Sequence, residues 1–157
     1  MTPAIDLLKK HKQTFQLHSY SHDPAAASYG LEAADKLGLQ PQQVFKTLVA
    51  QSETGELLVA VLPVVHSLNM KKLAKAAGVK KVAMADPQQV ERTTGYVLGG
   101  VSPLGQKKSL RTFIDQTAQA FDSLFFSAGR RGLEIELSPQ ALQQLTRGHW
   151  ASLTATD

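Results

Sequence analysis

Apolar and polar positions along the chain divide it into short strands and amphipathic helices in quick succession. Phe15-Gln16-Leu17-His18-Ser19-Tyr20 alternates with period two, the pattern of a strand buried on one side. Val44-Phe45-Lys46-Thr47-Leu48-Val49-Ala50 and the run from Leu57 to Val64 are apolar and rich in β-branched residues. The polar turn Ser52-Glu53-Thr54-Gly55 separates them and predicts a hairpin. Further strands are expected at 80–84, 96–98, 112–114, 124–127 and 133–137. In the last of these Glu134 and Glu136 oppose Leu133, Ile135 and Leu137, which places both carboxylates on a wet face. Helical spacing marks 3–12, 28–37, 69–77, 87–93 and 139–147, with a short helical piece at 117–121. Thr2 and Ser28 are suited to cap the first two helices, Asp86 and Ser138 the last two, and Gly38 and Gly78 act as stops.

Because several strands are joined by turns rather than helical crossovers, the expected class is α+β, with a mixed, mostly antiparallel sheet and helices packed outside. The 157 residues show no repeat, linker or low-complexity stretch, so a single domain over 1–157 is expected.

Composition narrows the chemistry. The chain has no cysteine, which excludes a disulfide framework, a thiolate metal site and a side-chain thiol nucleophile. The N-terminal decapeptide lacks a basic-then-apolar leader pattern and no run is long enough to span a bilayer, so the expectation is a cytoplasmic protein without a membrane partner. Charge is uneven: residues 1–66 hold five Lys/Arg against six Asp/Glu, and residues 67–157 hold twelve against seven. Such a basic half attracts phosphates or forms a solvated surface, and charge alone does not choose between them.

The histidines, His11, His18, His22, His66 and His149, form no recognisable metal set, and no Walker loop, dinucleotide fingerprint or nucleophile elbow is present. Three stretches remain. Lys46 is an ammonium set into an apolar strand, where it either blocks sheet pairing at an edge or reaches an anion. In Gly99-Gly100-Val101-Ser102-Pro103-Leu104-Gly105, adjacent glycines permit positive φ, and the N–H groups of Gly100, Val101 and Ser102 are spaced to converge on one oxygen; a plain tight turn is the alternative. Phe126-Ser127-Ala128-Gly129-Arg130-Arg131-Gly132 is either a hairpin turn or a pocket wall in which Ser127 and Gly129 line the site and an arginine meets phosphate.

Taken together and in this order, these pieces, with Met84-Ala85-Asp86-Pro87, Thr94-Gly95-Tyr96, Gln106-Lys107-Lys108 and Leu133-Glu134-Ile135-Glu136-Leu137, resemble the YbaK/prolyl-tRNA-synthetase editing-domain family over nearly the whole chain. The resemblance implies a partly open β-barrel with helices outside, and removal of a wrong amino acid, cysteine foremost and alanine as the alternative, from the 3′ end of a mischarged tRNA; the rival from another class is a non-catalytic tRNA- or synthetase-binding module on the same fold. It implies that Lys46 is the key polar residue of the pocket, and that the loop from Gly99 through Gly100, Val101, Ser102 and Pro103 presents backbone N–H groups to the aminoacyl carbonyl. Tyr20 and Tyr29 would line the pocket, Tyr29 standing where phenylalanine is usual; Ala128 and Glu136 stand where glycine and aspartate are. Lys107, Lys108, Arg130 and Arg131 are the expected tRNA-phosphate contacts. No cofactor or metal is implied. Prolyl-tRNA synthetase is the implied transient partner, and the substrate cysteine's own thiol the implied nucleophile, with water-mediated hydrolysis as the rival mechanism.

Overall fold

The computed structural model describes residues 1–26 and 28–155. Among these residues five α-helices and eight strands are interspersed: α1 (Pro3–Lys10), β1 (Gln16–Ser19), α2 (Tyr29–Leu37), β2 (Phe45–Ser52), β3 (Leu57–Pro63), α3 (Met70–Ala77), β4 (Val82–Met84), α4 (Pro87–Thr94), β5 (Arg111–Asp115), β6 (Leu124–Ser127), β7 (Leu133–Leu137), α5 (Pro139–Thr146) and β8 (His149–Ala151). Three of the four expected caps form; Asp86 sits at the start of α4 but its side chain makes no capping hydrogen bond there. Thr2, Ser28, Asn69 and Ser138 each accept a backbone N–H of their helix, and Gly38 and Gly78 end theirs in the left-handed region.

The strands form two sheets, β1-β7-β6 and β4-β2-β3-β5-β8. Four pairs are antiparallel, and β3-β5 and β5-β8 are parallel, so the sheet is mixed and mostly antiparallel. The β2-β3 hairpin has the expected turn, with the Gly55 N–H donating to Ser52 O at 3.0 Å. β3 is buried from end to end and lies at the centre of the larger sheet. Its Leu58, Ala60 and Leu62 pack towards Leu73 and Phe113, while Val59 and Val61 face Phe45, Ile114 and Phe126. Each such aliphatic side chain contributes about 1.5–3 kcal/mol through removal from water, and together they fix the frame that carries β2.

The partly open barrel is not confirmed: no closed barrel is seen among the described residues, where the two sheets touch through an isolated parallel bridge between Val44 and Phe125. Two expectations are corrected. Residues 96–98 form no strand. Tyr96 is buried, its hydroxyl donates to Leu104 O at 2.7 Å, and the chain turns at 97–100 with Gly100 N donating to Val97 O. Glu134 is not on a wet face, since it is buried at 6 % exposure. The short β8, just after Gly148, adds an edge strand that periodicity did not predict.

Candidate active site

The placement of Lys46 follows from how β2 is paired. On one side β3 covers it from Phe45 to Gln51; on the other, β4 reaches only Ala50, Gln51 and Ser52. Between the Val44–Phe125 bridge and the reach of β4 no strand pairs with this outer edge, and a cavity of about 270 Å³ forms there. Four consecutive residues, Phe45, Lys46, Thr47 and Leu48, border it because an edge exposes backbone as well as alternate side chains. Val49 O faces this edge and accepts from Ala85 N at 3.0 Å. By the alternation of an antiparallel ladder, the N–H and C=O of Thr47 face the same edge.

The cavity brings together Lys46, Tyr20, Tyr29, Gly99, Val101, Ser127 and Arg131 from the sequence-derived set. Lys46 is half-buried, and among the described residues it has neither an ion pair nor a hydrogen bond. Its loss of solvent lowers its pKa below the usual lysine value. An unpaired ammonium at the wall of a partly dry cavity is an anion or carbonyl ligand in waiting.

Glu134 also lines the cavity, and its carboxyl is pushed up to about 8 by desolvation. It is largely neutral near pH 7, so Lys46 and Arg131 set the sign of the cavity's charge. Burial raises the nearby Tyr20 phenol to about 12, with a further push from Glu134 and Glu32 against a backbone hydrogen bond at Gly132. Tyr20 thus stays a hydroxyl. Glu136, the position singled out by resemblance, turns away from this site: it accepts from His18 at 2.9 Å and Ser123 at 2.6 Å. Sequence reasoning missed Glu134 because alternation tells which face a side chain takes and not what covers that face.

The Thr47 hydroxyl is buried with no hydrogen-bond partner among the described residues. Leaving it unpaired carries a cost that a methyl group of similar shape would not. Thr47→Val is therefore expected to raise stability, by about 1 kcal/mol, as read by urea unfolding; a loss of stability would mean the hydroxyl is satisfied.

The glycine loop divides its labour. Gly99 has φ +83°, and a Cβ there would lie 2.4 Å from the Tyr29 ring and 2.8 Å from Arg131 Nε. Gly100 does not need positive φ; it needs space, since a Cβ would meet the Arg130 backbone at 3.1 Å. Its N–H is engaged by Val97 O at 3.0 Å. The N–H groups of Val101 and Ser102 donate to no other described residue, although both residues are buried. Of the two, only Val101 borders the cavity, and a buried, unengaged backbone donor there is the group an oxyanion would use. Gly99→Ala is expected to displace the Tyr29 and Arg131 side chains and to lower activity at least about tenfold, by analogy with misplaced positioning groups. A steady-state comparison with the wild type, alongside a melting curve, checks this.

The far wall is a clasp. Arg131 lies over Tyr29 with its guanidinium carbon 4.1 Å from the ring centre, and one Nη donates to Leu98 O at 2.9 Å. His22 packs against Tyr29 at 5.5 Å between ring centres, and its Nδ1 meets Glu32 Oε1 at 2.7 Å. Glu32 also accepts from Asp23 N and pairs with Lys36. Burial alone would raise the Glu32 pKa, but the Asp23 N–H, His22 and Lys36 together bring it down to about 2.

Other expected residues lie outside the cavity wall. Ser102 is fully buried, its oxygen accepting from Leu104 N at 3.3 Å. Pro103 borders a separate depression with Leu7 and Leu145 that holds no titratable side chain. Gly129 packs under Tyr96, and Gly100 supports the loop from behind. Lys107, Lys108 and Arg130 are exposed on the surface. Among the described residues no group of three or more His, Asp or Glu is placed to hold a metal ion, and no helix is long and apolar enough to cross a membrane.

The chemistry available is positioning and charge stabilisation. No histidine lines the cavity, and the Ser127 oxygen accepts from Gly129 N at 3.1 Å, so no hydroxyl there is paired with a general base.

Residues 23–145 match the family model described as the aminoacyl-tRNA editing domain. A protein of Enterococcus faecalis named "Putative Cys-tRNA(Pro)/Cys-tRNA(Cys) deacylase EbsC" is 39% identical, covering 99% of this chain and 94% of that one. Proline–tRNA ligase of Pelobacter propionicus is 28% identical over 65% of this chain and 18% of its own length. A crystal structure titled as "a putative trans-editing enzyme for prolyl tRNA synthetase" shares the fold, with TM-score 0.83 at 23% identity, covering 97% of this chain and 94% of that one. The chain belongs to the aminoacyl-tRNA editing domain family.

Proposed function

We propose that the protein is a trans-editing deacylase that removes cysteine from mischarged Cys-tRNA(Pro). The observation that carries this reading is the presence, around one small cavity, of an unpartnered Lys46 and the unengaged Val101 N–H of the glycine loop. An aminoacyl ester is already activated, so such a site needs only to orient it and stabilise the oxyanion. The absence of a paired protein nucleophile fits an attack supplied by the substrate. In that step the cysteine sulfur attacks its own carbonyl carbon and the acyl–oxygen bond to the ribose breaks. The thiol proton ends on the departing ribose hydroxyl, and the products are a cyclic thiolactone and free tRNA.

Lys46 orients the carbonyl or the adjacent ribose-phosphate, and the Val101 N–H, on the cavity wall, receives the developing oxyanion. The Thr47 carbonyl at the open strand edge is suited to accept from the α-ammonium group. Tyr20, Tyr29 and Ser127 border the volume left for a small side chain. Lys107, Lys108 and Arg130 contact tRNA phosphates, and a transient complex with prolyl-tRNA synthetase supplies tRNA selection.

The test is deacylation of Cys-tRNA(Pro) beside Ala-tRNA(Pro), with the released product identified by mass. Faster loss of cysteine with thiolactone-derived product supports the reading. Preference for alanine moves it to a hydrolytic editor of alanine, since a small pocket separates such substrates by only about 1–3 kcal/mol. No loss of either amino acid sinks it.

A further inference from the structure

Arg131 has a geometry that phosphate binding does not require. At 4.1 Å from the Tyr29 centroid, its guanidinium sits on the face of the ring rather than at its edge. The bond from its Nη to Leu98 O fixes the plane and uses part of the donor fork that a phosphate would otherwise engage. His22, held by Glu32, supports the Tyr29 ring. Arg131 is itself exposed, so the Tyr29 ring covers one face of the guanidinium and the opposite face is left to solvent. Beside it the turn residues Val97 and Leu98 are 50% and 49% exposed, a small apolar shelf at the cavity mouth. Lys107, Lys108 and Arg130, free of any such stack, remain for the phosphates.

We infer that the outer face of Arg131, backed by Tyr29 and flanked by the Val97–Leu98 turn, is a stacking platform for the nucleobase at the 3′ end of the acceptor strand. Unpaired RNA bases stack on aromatic rings and on arginine planes alike. A base held there stands at the mouth of the cavity while its own ribose ester enters towards Lys46. The assignment rests on the proposed action at the aminoacyl end of tRNA, and it moves Arg131 from a charge contact to a planar one. Lysine keeps the charge and lacks the plane, which makes the two roles separable.

The experiment uses an acceptor-stem hairpin RNA with 2-aminopurine as its 3′-terminal base and a 5′ dye for anisotropy. Wild-type protein should quench the 2-aminopurine over the same concentrations that raise the anisotropy. Arg131→Lys and Arg131→Ala should both abolish the quench and weaken binding roughly tenfold, the range expected for loss of one stacked base. Tyr29→Leu, which removes the backing and leaves the charge, should reduce the quench as well. Melting curves of all variants should match the wild type. If Arg131→Lys keeps quench and affinity, while Arg131→Ala lowers the slope of log affinity against log salt by about one, Arg131 is a phosphate contact and the platform is wrong. Binding without any quench also overturns it and leaves the deacylase reading standing. No binding of RNA at all overturns both.

Discussion

Lys46→Ala is expected to lower kcat/KM for Cys-tRNA(Pro) by at least about a hundredfold, the scale of losing one preorganised oxyanion donor. The side chain has no structural partner to lose: no described residue pairs with its ammonium, and desolvation already disfavours its charge. Truncation therefore removes a ligand contact without orphaning another buried group, and the melting temperature should hold. Lys46→Met, which keeps the stem and discards the ammonium, separates packing from charge and should be equally inactive. Lys46→Arg is not a conservative rescue, because a fork-shaped ion in a cavity of about 270 Å³ displaces substrate volume. Full activity in either Lys46→Ala or Lys46→Met would remove the lysine from the mechanism.

The second large effect is on stability against pH, and Glu134 is its source. In the unfolded chain this carboxyl titrates near 4.5; in the fold, burial moves it to about 8. Below about pH 4.5 both states hold the proton and the group is neutral to stability. Between the two values only the unfolded state releases it, so stability falls as pH rises, and above about 8 the penalty is complete. The full span corresponds to roughly 4–5 kcal/mol at one pKa unit per 1.36 kcal/mol, an upper figure because side chains and water relax around a new charge. Glu32, Glu53, Glu56 and Glu136 are shifted downwards and lose their contributions on the acid side, away from this window. Glu134→Gln should therefore match the wild type near pH 4.5 and exceed it by several kcal/mol at pH 9 in urea unfolding. Parallel curves for the two proteins would show that Glu134 is already ionised at neutral pH. For function, a neutral Glu134 matters because an ionised one would oppose the approach of an RNA anion.

The sequence carried the frame of the site better than its lining. Lys46 was legible because an ammonium inside a β-branched run is chemically conspicuous, whatever the fold. The hairpin that carries it was legible from its turn. The unpaired edge that turns Lys46 into a cavity residue was not, since it depends on where the non-local strand β4 stops. Glu134 and Glu136 illustrate the same boundary. Both lie on one face of β7, yet one is paired with His18 and Ser123 while the other is closed over by distant segments. Two residues of spacing cannot encode that difference. The two glycines read as equivalent, and only the fold shows that Gly99 supplies a left-handed turn against Tyr29 while Gly100 clears the Arg130 backbone. Residues 96–98 have the composition of a strand, but their backbone closes a turn and the Tyr96 hydroxyl takes Leu104 O, so local hydrogen bonds override propensity.

The central position of β3 has a further consequence, for how the site can change over time. Lys46 is registered to Leu62 on the most deeply enclosed strand of the molecule, so its backbone can open only when the larger sheet itself comes apart. The clasp facing it is built from a turn, a helix start and one exposed arginine, parts that open locally at small free energy. The Lys46 floor of the cavity and its entrance therefore have separate lifetimes: the entrance can open and reclose many times over without the lysine moving. Sequence drift divides the same way, because changes among residues 97–99 or at Arg131 alter who enters, whereas a change beneath Lys46 threatens the fold.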